Sequence, residues 1–114
     1  MKISTFKTTD FEKTDAIESY LTAKVEGLER YLTSIPTPHE ARIEIGKETK
    51  HRKKGPFFRC EINLHLPKHM LRAESSAESL YAAIDITLDE LKRQVVRFKE
   101  RPVAVRKKQE QHEL

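Results

Sequence analysis

Arg93, Arg97 and Arg101 recur at every fourth position of one stretch of chain. If that stretch is helical, 100° per residue sets the three guanidiniums in one line along it. Arginine is always charged and presents a planar fork of N–H donors that matches a phosphate. Asp89, four residues before Arg93, has the spacing of a surface salt bridge, a pair worth about 0.3–0.5 kcal/mol. Arg97 and Arg101 lack such an acid, because Arg93 and Arg97 hold the positions four residues before them. Like charges at that spacing repel, so the line calls for a partner carrying negative charge, most simply a phosphate backbone. Arginine at every fourth residue matches no base-reading code, so shape and backbone contacts are expected rather than sequence readout.

Other residues invite chemistry less strongly. Glu44, Glu61 and Glu74 fall on the same parity of three alternating stretches and could line up for general acid–base work. Arg42, Arg59 and Arg72 share that parity, and cross-strand ion pairs account for both sets without catalysis. The histidines His39, His51, His65, His69 and His112 are scattered; His65 and His69 flank a turn but lack a third ligand at metal spacing. Cys60 sits among inward-pointing positions, which makes it a small core residue rather than a nucleophile. With three glycines in the chain there is no phosphate-cradling glycine pattern. No enzyme, metal or cofactor is expected.

The elements that must position these residues can be read from periodicity. Ala77, Leu80, Ile84, Leu88, Leu91, Val95 and Phe98 keep three- and four-residue steps, the stripe of a core-facing helix from Ser75 to Arg101. Ser75 with Glu78 has the pattern of a capping box, and Pro102 stops the helix. An earlier helix carries Ile17, Leu21, Val25, Leu28 and Leu32, with Tyr20 and Tyr31 at the margin. Asp15 followed by Glu18 reads as its start, and Gly27 inside it costs up to about 1 kcal/mol relative to alanine.

Strands are expected at Lys2–Thr8, where Ile3 and Phe6 break the alternation, at His39–Lys47, at Phe58–Leu66 and at Met70–Glu74. The turn around Pro67 joins the last two. Glu48–Pro56 is a basic loop with nothing apolar to pack, expected to project as a mobile arm. The order is β-α-β-β-β-α, an α+β class with a four-stranded sheet and two helices packed on one face. Residues 1–102 form a single domain, and 103–114 a basic tail expected to be disordered.

The net charge of +4 hides a segregation. Lys47–Arg59 holds six basic residues against one acid, a net of +5, and Lys92–Lys108 holds eight against one, a net of +7. The rest of the chain is therefore −8. One basic run alone reads as solvated surface; two runs in an otherwise acidic chain point to a polyanion such as nucleic acid. A lone cysteine, no secretory signal pattern and no apolar run near the roughly 20 residues of a bilayer span point to a soluble cytoplasmic protein without a membrane partner.

The strings AIESYLTAKVEGLERYL, IEIGKETKHRKKG, FRCEINLHLPKHMLRAESSAESLYAAID and LDELKRQVVRFKER, in this order and spacing, resemble the short form of the bacterial ribosome hibernation promoting factors and ribosome-associated translation inhibitors. The resemblance covers nearly the whole folded part and implies the same α+β sheet-and-helices fold. It implies a stress-response inhibitor that binds the small ribosomal subunit, through 16S-type rRNA and within the 70S ribosome, in the channel of mRNA and of A- and P-site tRNA. It places RNA contacts at Lys24, Arg30, Lys47, Arg93, Arg97 and Arg101, with the loop cations Lys50, Arg52, Lys53 and Lys54 adding to them. It also implies a monomer off the ribosome; and since the chain stops where longer members continue into a second domain that pairs two ribosomes, it is not expected to dimerise ribosomes through a domain of its own. The chain departs from the family pattern at Glu18 and Glu90, where a basic residue is common, at Gly27, which lacks one, and at Lys92, where an acid is usual.

Two other readings fit parts of the sequence. A general double-stranded RNA-binding module also uses α-β-β-β-α with basic residues at its last helix, although such modules crowd their lysines at the helix start. A small nuclease could use the sheet-face glutamates.

Overall fold

Two periodicities in the chain, two for strands and 3.6 for helices, build a sheet and a helical layer over it. A computed structural model describes residues 1–48 and 57–101. The elements run β1 (Lys2–Thr9), α1 (Asp15–Glu29) continued by a 3-10 turn (Arg30–Leu32), β2 (Glu40–Glu48), β3 (Phe57–Leu66), β4 (His69–Ala77) and α2 (Leu80–Lys99). The sheet order is β1-β2-β3-β4, with β1 parallel to β2 and the remaining pairs antiparallel. The expected β-α-β-β-β-α α+β architecture is the one observed. The basic loop, including Lys50, Arg52, Lys53 and Lys54, and the tail from Pro102 lie outside the described residues, as do His51 and His112.

One sheet face is the core. Ala41, Ile43 and Ile45 of β2, Cys60, Ile62 and Leu64 of β3 and Ala73 of β4 join Leu21, Val25 and Leu28 of α1 and Ile84, Leu91 and Val95 of α2 in one buried cluster. Each fully buried Leu or Ile contributes about 1.5–3 kcal/mol of transfer free energy, so this seam fixes both helices to the same face. The broken alternation of β1 has a local cause. Ile3 pairs with Ala41 and Thr5 with Arg42, so Ser4 is an extra residue that flips the parity and turns both Ile3 and Phe6 towards the helices. Ser4 Oγ donates to the Ala41 carbonyl at 3.3 Å.

Both helix starts differ from the sequence expectation. Ser75 continues the inward alternation of Leu71 and Ala73 within β4, and its Oγ bonds the Ala83 carbonyl at 3.0 Å and Thr87 Oγ1 at 2.6 Å. No capping box forms there, and Ala77 ends the strand rather than opening the helical stripe. The N-cap of α2 is Ser79, which accepts from the Ala82 N–H at 3.4 Å. In α1 the cap is Thr14, accepting from the Ile17 N–H at 3.2 Å, and Asp15 is already helical. A strand ending and a helix beginning a few residues apart competed for the same polar residues, and burial decided for the strand. Among the described residues no helix is long and apolar enough to cross a membrane.

Candidate nucleic-acid interface

The two helices run side by side and parallel. Tyr20 donates to Asp85 Oδ1 at 2.7 Å and Lys24 Nζ lies 3.4 Å from the same oxygen, while further along both helices Lys92 Nζ sits 4.9 Å from the Tyr31 ring centroid. The steps Lys24 to Tyr31 and Asp85 to Lys92 are equal, so contacts advance in register. Tyr20 also packs edge-on against Tyr81, with centroids 4.6 Å apart. Between the helices runs an open groove of about 260 Å³ lined by Lys24, Gly27, Arg30, Tyr31, Asp89 and Lys92 over Leu28 and Leu88. The hydrogen bond to Asp85 raises the pKa of both Tyr20 and Lys24, and Lys92 lowers that of the Tyr31 hydroxyl.

Helical phase places Arg93 and Arg97 on the other flank of α2; the helix ends at Lys99 rather than at the expected Arg101, which follows just beyond the Glu100 cap. Arg97 and Arg101 border a hollow with Leu71, Gln94 and Phe98, beside β4. Glu90 organises this flank: Arg93 Nε and Nη2 donate to its Oε1 at 3.2 and 2.9 Å, and Arg97 Nη2 lies 3.6 Å from its Oε2. Gln94 Nε2 donates to Glu90 Oε2 at 3.4 Å and to the Arg72 carbonyl at 2.7 Å, tying the cluster to β4. These donors hold the Glu90 carboxyl below the ordinary glutamate range.

The salt bridge expected from Asp89 to Arg93 is therefore made by Glu90 instead, and Arg97 has an acid after all, seven residues before it. The arginines remain open, with 60% of the Arg93 and 66% of the Arg97 side chain exposed. Arg101 lies 5.6 Å from the Phe98 ring. Among the described residues neither Arg30 nor Arg101 has a carboxylate partner.

The residues singled out by sequence thus fall into groups. Lys24 and Arg30 share the groove; Arg93 and Arg97 share the β4 flank of α2, with Arg101 just beyond the helix end. Lys47 stands apart, on the helix side of β2 opposite Phe58, whose partner Ala77 marks the other end of the sheet from Arg101. Lys92, not among the residues expected to contact RNA, joins the groove group. Its signal was the seven-residue step from Asp85, visible once α1 and α2 are known to be parallel.

On the open sheet face the expected cross-strand ion pairs form around Glu61 and Glu74, whereas among the described residues neither Glu44 nor Arg42 makes one. Glu44, Glu61 and Glu74 are indeed paired across three strands. Arg72 Nη2 lies 2.6 Å from Glu61 and 3.3 Å from Glu74, and Arg59 lies 3.6 Å from Glu61 and also bridges Glu74. Glu61 and Glu74 thus each meet two guanidiniums. Cys60 is buried, and burial pushes its thiol up to about 11. His39 is also buried, its Nε2 2.7 Å from the Ile35 carbonyl. Among the described residues no group of three His, Cys, Asp or Glu side chains could hold a metal ion.

Comparisons with known proteins bear on the family and the fold. A family model described as Sigma 54 modulation protein / S30EA ribosomal protein matches residues 5–102. The Ribosome hibernation promotion factor of Staphylococcus aureus (strain COL) is 34% identical over 88 residues, which are 77% of this chain and 43% of that protein. The chain thus spans less than half the length of that relative. The crystal structure of the Thermus thermophilus Protein Y N-terminal domain superposes with a TM-score of 0.72 at 34% identity, covering 86% of this chain and 99% of that one. A ribosomal subunit interface protein from Coxiella burnetii shares the fold, with a TM-score of 0.66 at 16% identity over 87% of this chain and 98% of that one.

Proposed function

The chain belongs to the Sigma 54 modulation protein / S30EA ribosomal protein family, and from that premise we propose that it is a non-enzymatic, ribosome-associated hibernation factor. It binds the rRNA of the small subunit in the channel of mRNA and of A- and P-site tRNA, and it blocks translation in idle ribosomes. The observation that carries this reading is the cationic surface of the parallel helix pair. It is built from Lys24 and Arg30 beside the groove, Arg93 and Arg97 on the far flank of α2, and Arg101 just beyond that helix's end. Fixed guanidiniums in excess over their acids suit a shaped phosphate surface. Lys47 extends the contact from the other end of the sheet, and Lys50, Arg52, Lys53 and Lys54 add their charge to it. Residues 1–102 act as the binding domain, as a monomer off the ribosome and without a cofactor.

Co-sedimentation of the purified protein with isolated small subunits tests the reading, across a salt series and with bulk double-stranded RNA as competitor. Saturation near one protein per subunit that resists the competitor, with initiator tRNA displacing the protein, is expected. Complete removal by the competitor would mean a general RNA-binding module instead.

A further inference from the structure

The groove between α1 and α2 holds features that a surface for phosphates alone does not need. Gly27 leaves its wall open, since a Cβ built there meets nothing within 4 Å. Its floor is apolar, formed by the buried Leu28 and Leu88. Tyr31 supplies an aromatic ring covered by the flexible Lys92 ammonium. Asp89 is exposed in this groove with no cation partner among the described residues, because Arg93 turns to Glu90. Asp85 lines the same groove but is satisfied by Tyr20 and Lys24, whereas the free Asp89 carboxylate would be repelled by an approaching phosphate backbone. That repulsion is offset if the carboxylate accepts N–H donors from a base.

We infer that this groove receives a single unpaired guanosine nucleotide of the rRNA, its base against Tyr31, its N1–H and N2–H donors on Asp89 and its phosphate on Arg30 and Lys92. Guanine is the base whose Watson–Crick edge offers two adjacent N–H donors to one carboxylate. The volume of about 260 Å³ lies just below the roughly 300–1,000 Å³ of sites for drug-sized ligands, which suits one base. Stacking on an aromatic side chain contributes about 1–3 kcal/mol per base. The inference rests on the rRNA-binding function proposed above and adds a base-reading position to it.

The test is co-sedimentation with small subunits, combined with chemical probing of unpaired guanines at N1 and N2. Gly27→Leu fills the groove without altering charge; Asp89→Asn removes the acceptor; Ser19→Leu adds the same bulk on the exposed side of α1. Wild-type protein is expected to protect a subunit guanine. Gly27→Leu should lose roughly tenfold or more in affinity, at an unchanged salt slope and with no loss of thermal stability. Asp89→Asn should bind without protecting that guanine, and Ser19→Leu should match wild type. Gly27→Leu protein that binds as wild type and protects the same guanines overturns the inference while leaving the ribosome-binding function intact. Wild-type protein that does not bind subunits overturns both. Free GMP that saturates the groove at millimolar concentration without RNA, followed by the Tyr31 NMR signals, overturns rRNA as the source of the nucleotide.

Discussion

Glu90 collects Arg93, Arg97 and Gln94 around one carboxylate, so Arg93 and Arg97 are already partly neutralised from within. Glu90→Gln removes that competition, and binding to small subunits is expected to tighten several-fold at low salt with an almost unchanged melting temperature. Because its folded pKa is depressed, the carboxylate's contribution is present above the ordinary value of about 4.3 and fades as pH falls through the lower folded value. A carboxyl-carbon NMR titration should accordingly place the Glu90 midpoint below the ordinary glutamate range. Cys60 has the opposite sign. Its pKa is raised from 9.0 to about 11, so its contribution is complete below pH 9 and is lost as pH rises towards 11. The difference corresponds to about 2–3 kcal/mol. Urea unfolding across that range should show wild type losing this much more than Cys60→Ala. Strand alternation alone identified Cys60 as inward, whereas the choice of Arg93 between Asp89 and Glu90 was a matter of rotamers that spacing does not specify.

Elements were legible in their interiors and misread at their ends. Apart from Ala77, the stripes of both helices emerged as expected because apolar periodicity has no competing explanation over several turns. Their starts did not, since Thr14, Asp15, Ser75 and Ser79 are all competent caps. Ser79→Ala should cost about 1 kcal/mol in chemical denaturation through loss of the α2 cap. Ser75→Ala should act differently, by leaving the buried Thr87 hydroxyl with one partner fewer while its bond to the Ala83 carbonyl persists. The β3–β4 turn carries a local conflict, with Pro67 followed by Lys68 at φ 64°. A residue with a Cβ is strained there. Lys68→Gly is expected to raise stability by up to about 1 kcal/mol, read as a higher denaturant midpoint.

At the scale of the whole molecule, charge segregation becomes a surface. Arg93→Glu combined with Arg97→Glu should abolish association with small subunits while leaving thermal stability nearly unchanged, because both side chains are mostly exposed and surface ion pairs contribute about 0–1 kcal/mol. A folded double mutant that still co-sediments would remove α2 from the binding surface. The same measurement on Lys47→Glu asks whether the far end of the sheet takes part, and a smaller loss is expected.

The sequence by itself determined the α+β class, the order of elements, the inward and outward sets of β2, β3 and β4, and the placing of Arg93 and Arg97 on one side of α2. These follow from local geometry, in which a side chain's direction is set by its own backbone at a period of 2 or 3.6. Tertiary structure alone decided that α1 and α2 run in parallel, that Lys92 and Tyr31 meet across a groove opened by Gly27, that Asp89 faces that groove and Glu90 the arginines, and that Ser75 belongs to a strand. Each of these depends on which element lies next to which, and spacing within one segment carries no record of its neighbour.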